Sequence, residues 1–405
     1  MEVGRRELLA AAGAMPWMSA AGVAAADLPV TPAMLAEALA SAVAAGTPGL
    51  SAAIATRRGV IWTGVAGLAD IGAGRAIDEA DLFGIGSITK LFVTVVVLQL
   101  VEQKRLSVDA TPRALLGAAA TRGIANADTA TIGQLLAHSA GVPSWEDDPA
   151  WIRRGRGVAI DPAHRWGKTE ALDYIRGVPA TGAPGAGFRY SNSGYTLLGL
   201  IVERVTGRSA GAEIRDRILT PLALADTWLD GFEAGRPERL PHRYHYATDA
   251  FRRDAGIAPA FATVRPGLID ATGANLSVEW TAGGIVSSPR DLATFALALR
   301  DGRLLRPPSL AYMRQWKSAR SYAEMGHGLF RFITPTGAFE GHAGSVLGFT
   351  GGLGWAEGED AVVAVLANVG AMHAGETPPA AYDVALNSSF TGLALRYTGQ
   401  QYSPK

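Results

Sequence analysis

The 405-residue chain contains no cysteine. That excludes disulfides, cysteine-ligated zinc, a thiol nucleophile and a lipid-anchored N-terminal cysteine. Charged residues make up 18 % and the formal net charge is +0. Nothing in that balance favours a nucleic acid or an anionic membrane surface as partner. The seven histidines lack metal spacing such as His-Glu-x-x-His, so no metal is expected. No glycine loop lies between a strand and a helix as a nucleotide site requires, and no cofactor is expected. No apolar run reaches the roughly 20 residues of a membrane-spanning helix, so the mature form should have no integral span. Repeats and low-complexity linkers are also missing. What remains is apolar: 48 % hydrophobic residues can fill a large core.

Residues 1–26 read as an export segment, and the protein is expected to be periplasmic or secreted. Arg5-Arg6-Glu7-Leu8-Leu9 is a short basic start, Ala10–Ala25 is apolar and small, and Ala24-Ala25-Ala26 looks like a cleavage site. The paired arginines point to twin-arginine export, with the general secretory route as the alternative.

Periodicity predicts a helix over Ala33–Ala45 and a hairpin from Leu50–Thr56 and Val60–Val65. Leu91, Val95, Leu98 and Val101 recur at helical spacing, predicting a buried helix from Ser87 to Leu106. Residues 130–310 read as helical patches and loops. Strands are expected at Gly328–Ile333, Phe339–Ala343, Gly348–Trp355 and Ala361–Leu366, with a closing helix at Ala380–Leu386. The class is therefore α/β in the α+β sense. One antiparallel sheet, built from the N- and C-terminal segments and flanked by helices, carries an inserted, mostly helical subdomain. The cleft between sheet and insert is the natural site.

Three constellations could carry acyl transfer, which needs a nucleophile, a base and oxyanion donors. Ser87-Ile88-Thr89-Lys90 places a hydroxyl and an amine on one helical face. Lys90 can act as base if burial lowers its pKa. Of the five lysines, only Lys90 has a serine three positions before it. The loop Phe83-Gly84-Ile85-Gly86 sets Ser87 at a helix N-terminus, which favours an oxyanion. Tyr190-Ser191-Asn192 follows a turn-forming stretch. Tyr190 can share a proton with Ser87 and Lys90, and Asn192 can bond a substrate carbonyl or Lys90. His342-Ala343-Gly344-Ser345 falls on a predicted strand near the C-terminus. There Gly344 permits close approach of substrate backbone, and the Ser345 N–H can complete an oxyanion hole.

Taken in order, Ser87-x-x-Lys90, Tyr190-x-Asn192 and His342-x-Gly344 resemble the serine β-lactamase and penicillin-binding-protein family, in its class C and D-alanyl-D-alanine carboxypeptidase branch. Leu135–Gly141, Phe188–Asn192 and Gly283–Ser288 fit the same pattern, and the resemblance runs from about residue 34 to 390. It implies one β-lactamase/transpeptidase-like domain over 27–405, with its sheet part at about 27–85 and 320–405 and its insert at about 86–319. It implies Ser87, Lys90 and Tyr190 as the catalytic set, either Lys90 or Tyr190 being the base. Asn192, His342, Gly344, Ser345 and Arg331 would bind substrate, with Arg331 taking a free carboxylate. Outside the resemblance, Trp280 could line the cleft, with core or rim packing as the weightier alternative. His-Ala-Gly departs from the Lys-Thr-Gly of class C β-lactamases. The histidine resembles D-alanyl-D-alanine carboxypeptidases, D-aminopeptidases and some esterases, and Ala343 lacks a hydroxyl that helps hold a carboxylate.

The expected function is a serine hydrolase acting on D-residue peptides, with small esters second and β-lactams third. The partner is then a small-molecule or peptide substrate. A non-catalytic penicillin-binding sensor is the contrasting reading, against which all three boxes are complete. Two decoys have plainer explanations. Gly207-Arg208-Ser209-Ala210-Gly211 matches a nucleophile elbow but follows a helical pattern, and His373-Ala374-Gly375 reads as a loop.

Overall fold

The computed structural model describes residues 29–334, 337–387 and 389–402. The expected export segment, residues 1–26, lies outside the described residues. Nine strands form the main sheet: β1 (Gly49–Thr56), β2 (Gly59–Asp70), β3 (Arg75–Ala76), β4 (Lys317–Arg320), β5 (Ala323–Met325), β6 (Phe330–Thr334), β7 (Gly337–Val346), β8 (Phe349–Ala356) and β9 (Val362–Ala367). Their order is β4-β5-β6-β7-β8-β9-β1-β2-β3, and each pairing is antiparallel. The two chain ends meet where β1 pairs β9, with Leu50 opposite Ala367. Both strands are apolar and buried along their whole length, as central strands must be.

Six helices matter for the site: α1 (Pro32–Ala44), α2 (Thr89–Glu102), α3 (Asn192–Thr206), α4 (Pro289–Arg300), α5 (Ala381–Asn387) and α6 (Ser389–Tyr402). Adjacent glycines of β8 show how the sheet is covered. A methyl on Gly352 would meet Ala385 of α5 at 2.5 Å, whereas one on Gly351 would meet Ile88 at 2.9 Å. Successive residues face opposite sides of a strand, so α5 lies on one face and the turn before α2 on the other. Small side chains let both layers approach.

Helix α2 reads Thr-Lys-Leu-Phe-Val-Thr-Val-Val-Val-Leu-Gln-Leu-Val-Glu and is buried all round from Thr89 to Leu98. An all-round apolar helix belongs in the core rather than on a surface. It ends at Glu102, four residues before the expected Leu106. Phe92 stacks on Phe295 of α4 with 3.8 Å between ring centres.

The insert is less helical than expected. Two small sheets run through this region: one joins Phe83–Gly84, Ile285–Ser287 and Trp228–Leu229, and the other joins Val369–Gly370, Tyr244–Tyr246, Leu268–Asp270 and Ala262–Arg265. Strands this short show no readable alternation. Among the described residues no helix is long and apolar enough to cross a membrane.

Candidate active site

Ser87 sits in a single 3-10 turn, Gly86–Ile88, that leads into α2. Gly86 has φ +55°, a left-handed conformation that suits glycine. Ser87 is also the one residue of 81–90 that is not buried. Lys90, one turn on, is fully buried. Its three N–H donors all find acceptors: Ser87 Oγ at 2.9 Å, Asn192 Oδ1 at 2.7 Å and the Ala282 carbonyl at 2.6 Å. A buried ammonium without such partners would cost several kcal/mol.

Tyr190 precedes α3 and donates its phenol O–H to Ser87 Oγ at 2.8 Å. Ser191 caps the helix, its hydroxyl accepting from the Gly194 N–H at 3.2 Å. Asn192 is thereby freed from the capping role and turned inward. His138 stacks on Tyr190 at 4.1 Å, and its Nδ1 accepts from the Ser191 N–H at 3.1 Å. That bond leaves the ring proton on Nε2.

The third box arrives on β7. Pairing with β6 stops at Gly341, so no strand among the described residues pairs His342–Val346 on that side. β7 is interior in the sheet order, yet this stretch has a free edge. Gly344 is needed for a different contact from the one expected of it. A methyl there would lie 2.0 Å from the Ile85 carbonyl and 3.0 Å from Ser87 N. Likewise a methyl on Gly86 would lie 2.5 Å from Ser345 N. Two glycines thus let the turn and strand touch, bringing the backbone of Ser87 and Ser345 together. His342 is buried, with Phe330 edge-on at 5.1 Å.

Electrostatics separates the titrating groups. Burial drives Lys90 down to about 7, against the pull of Glu146 and Glu279. Burial also holds Tyr190 well above the usual 10, although the residue as a whole is only half-buried. His342 is held down to about 3 and His138 well below its ordinary value, again by burial, so both rings are neutral.

Behind Lys90 lies a charged cluster that sequence reading missed. Asn192 Nδ2 donates to Glu146. Arg156, 1 % exposed, pairs with Glu279 and reaches Glu146 at 3.9 Å. Glu279 precedes the turn Trp280–Gly283 that supplies the Ala282 carbonyl to Lys90. Burial pushes Glu146 up to about 8, opposed by Arg156. No pattern in the sequence marks a charge as buried, so these three carried no signal.

Two expected substrate contacts are not brought to the site. Trp280 is buried, packs against Phe232 and has no face for a ligand. Arg331 is held by Glu357 at 2.6 Å and Glu324 at 2.8 Å. Its neighbour Phe330, on the opposite face of β6, is the residue that meets Phe188 and His342. The decoys fall as expected. Ser209 caps the short helix Ala210–Ile214, and His373 sits in a loop with φ +58°. Among the described residues no group of three or more His, Asp or Glu could hold a metal.

Comparison with known proteins agrees with this geometry. The sequence model described as Beta-lactamase matches residues 35–386. Esterase EstB of Burkholderia gladioli is 33 % identical over 48 % of this chain and 49 % of its own length. Penicillin-binding protein 4 of Amycolatopsis lactamdurans is 30 % identical over 60 % of this chain and 59 % of its own. The chain thus spans about half the length of the curated relatives it matches. Solved structures align more fully. D-amino acid amidase of Ochrobactrum anthropi SV3 is 26 % identical with a TM-score of 0.78, covering 92 % of this chain and 100 % of that one. A D-stereospecific amidohydrolase of Streptomyces is 29 % identical with a TM-score of 0.72, covering 84 % and 95 %.

Proposed function

Since the chain belongs to the Beta-lactamase family and is a serine hydrolase, we propose that it cleaves an amide bond in small D-residue peptides or amides, through an acyl-enzyme on Ser87. One observation carries the reading: Ser87 Oγ lies between Lys90 Nζ at 2.9 Å and Tyr190 OH at 2.8 Å. Lys90 is the base in this scheme. Its amine loses its proton near pH 7, whereas the Tyr190 phenol stays protonated far above that.

Ser87 Oγ attacks the scissile carbonyl carbon and its proton passes to Lys90 Nζ. The N–H groups of Ser87 and Ser345 receive the oxyanion. Lys90 returns the proton through the Tyr190 hydroxyl to the leaving nitrogen, and the C–N bond breaks. Water then attacks the acyl-enzyme and gives a proton to Lys90, which returns it to Ser87 Oγ as the ester C–O bond breaks, leaving a carboxylic acid and free serine. Asn192 orients the substrate amide, and the buried, neutral His342 ring offers it a hydrogen bond from β7. The D-configured class is supported by full-length likeness to a D-amino acid amidase at 26 % identity.

Ester hydrolysis is the second reading, favoured by the 33 % identity to Esterase EstB. Rates on D- and L-phenylalanine amide and on p-nitrophenyl butyrate separate the two. The amide reading expects D-phenylalanine amide to be cleaved well ahead of its L-isomer. Turnover of the ester alone would overturn it.

A further inference from the structure

We propose that Phe188, Phe332 and Arg320 form a leaving-group subsite for an aromatic residue followed by a carboxylate. This rests on the reading of Ser87 as nucleophile and extends it to a substrate with a two-residue leaving group.

The β4–β5 pairing carries the geometry. Its register shifts between Ser318 and Arg320, so that Ala319 is an extra residue and Arg320 lies opposite Ala323. Ala323 lies opposite Phe332 on β6. Residues paired across strands share a face, so Arg320, Ala323 and Phe332 make one row. Ala323, Met325 and Phe330 form an apolar cluster of their own, with Phe188, Tyr190, Ala319 and Phe332 packed against it. This row therefore faces Tyr190, while Arg331 and Glu324 point away from it.

The cluster is open. Phe188, Tyr190, Phe332, Ala319 and Arg320 all keep partial exposure. The Arg320 guanidinium sits 5.6 Å above the Phe188 ring, which is itself 6.4 Å from Tyr190. No carboxylate pairs with Arg320 among the described residues, and Glu324 on the neighbouring strand is taken by Arg331. Positive charge over a half-open aromatic shelf complements an anion attached to an apolar group.

The side of the substrate follows from the proton path. Tyr190 passes the proton to the leaving nitrogen, and the shelf lies beyond Tyr190. The leaving group is therefore what reaches it. From Tyr190 to Arg320 is about three extended residues at most, which suits a dipeptide with its terminal carboxylate.

The test uses acetyl-D-alanyl-D-phenylalanyl-β-alanine and its C-terminal carboxamide, with kcat/KM from release of the amine. Both are also measured as competitive inhibitors of p-nitrophenyl acetate hydrolysis. The native protein should prefer the carboxylate peptide by about tenfold in kcat/KM and in Ki, less so at high salt. Arg320→Gln should remove that preference, whereas Arg253→Gln, a surface arginine paired with its neighbour Asp254, should keep it. No preference in the native protein, or one that survives Arg320→Gln, overturns the subsite. If neither peptide is cleaved, the amide reading fails, while the Ki ratio still decides the role of Arg320.

Discussion

Arg156 and Arg331 each hold two carboxylates, in opposite surroundings. Arg156 is 1 % exposed and lies against Glu279 and Glu146, which are 4 % and 11 % exposed. Arg331 is 28 % exposed and lies against Glu324 and Glu357, which are 34 % and 40 % exposed. Water screens the outer set, so its charges do little beyond linking β5, β6 and the residue after β8. Around Arg156 there is no such screening, and the carboxylates beside it, Glu146 and Glu279, act on Lys90. The same residue types thus make a surface tie in one place and tune a base in the other. Burial, not composition, decides between them.

The largest effect should come from the nucleophile, at the head of the buried region. Ser87→Ala should lower turnover by about 10^4- to 10^6-fold with thermal unfolding little changed. Intact mass after mixing with an activated ester should show an adduct on the native protein and none on the variant. Activity retained in Ser87→Ala would end the acyl-enzyme scheme. Lys90→Met should cost about 10^2- to 10^4-fold as loss of the base.

The charge state of the buried set should also appear in the pH profile. Lys90 must be neutral to accept a proton, and its pKa lies near 7. kcat/KM should therefore fall as pH drops through about 7 and be flat just above it. His342 and His138 are held neutral by burial and should add no limb there. Lys90 and Glu146 titrate as a set, so the limb belongs to both. Removing the positive charge of Arg156 makes the remaining groups easier to protonate. Arg156→Met should thus move the limb to higher pH, and it should destabilise the fold by about 3–5 kcal/mol, because two carboxylates lose their partner. Adding Glu279→Gln to Arg156→Met should restore part of that stability. A limb that stays in place would separate Arg156 from the base.

The two regions were not equally legible in the sequence. The first two boxes were readable because each combines a chemical pair with a turn signal, Gly86 before Ser87 and Gly185 and Gly187 before Tyr190, and the third because it falls on a strand pattern. Central strands and the α1 helix were readable through long apolar patterns, and α1 begins and ends one residue earlier than expected. Strands β4 and β5 were not, since Lys-Ser-Ala-Arg and Ala-Glu-Met hold no alternation of use. The α6 helix was missed because its apolar face is interrupted by Gly392, Arg396 and Gly399. Arg331 was correctly placed on a strand, but a strand pattern does not tell which of two faces meets the substrate. The ion pairs of Arg331 with Glu324 and Glu357, and the contacts of Phe330 with Phe188 and His342, settle that.

The smallest expected effect is the one that sharpens the comparison most. Arg331→Gln removes two partly exposed ion pairs at the sheet margin. Pairs of this kind contribute roughly 0.2–1 kcal/mol each, and less at high salt. The variant should therefore lose at most about 2 kcal/mol, as a small drop in melting temperature that shrinks in molar salt. Arg331 is not among the charges that act on Lys90, so the pH limb should stay near 7. Its preference for a carboxylate over a carboxamide leaving group should also match the native protein, because β6 turns Arg331 away from the row holding Phe332. A tenfold loss of that preference in Arg331→Gln would show that the arginine leaves its glutamates to meet substrate. The outer pair would then be a latch rather than a tie.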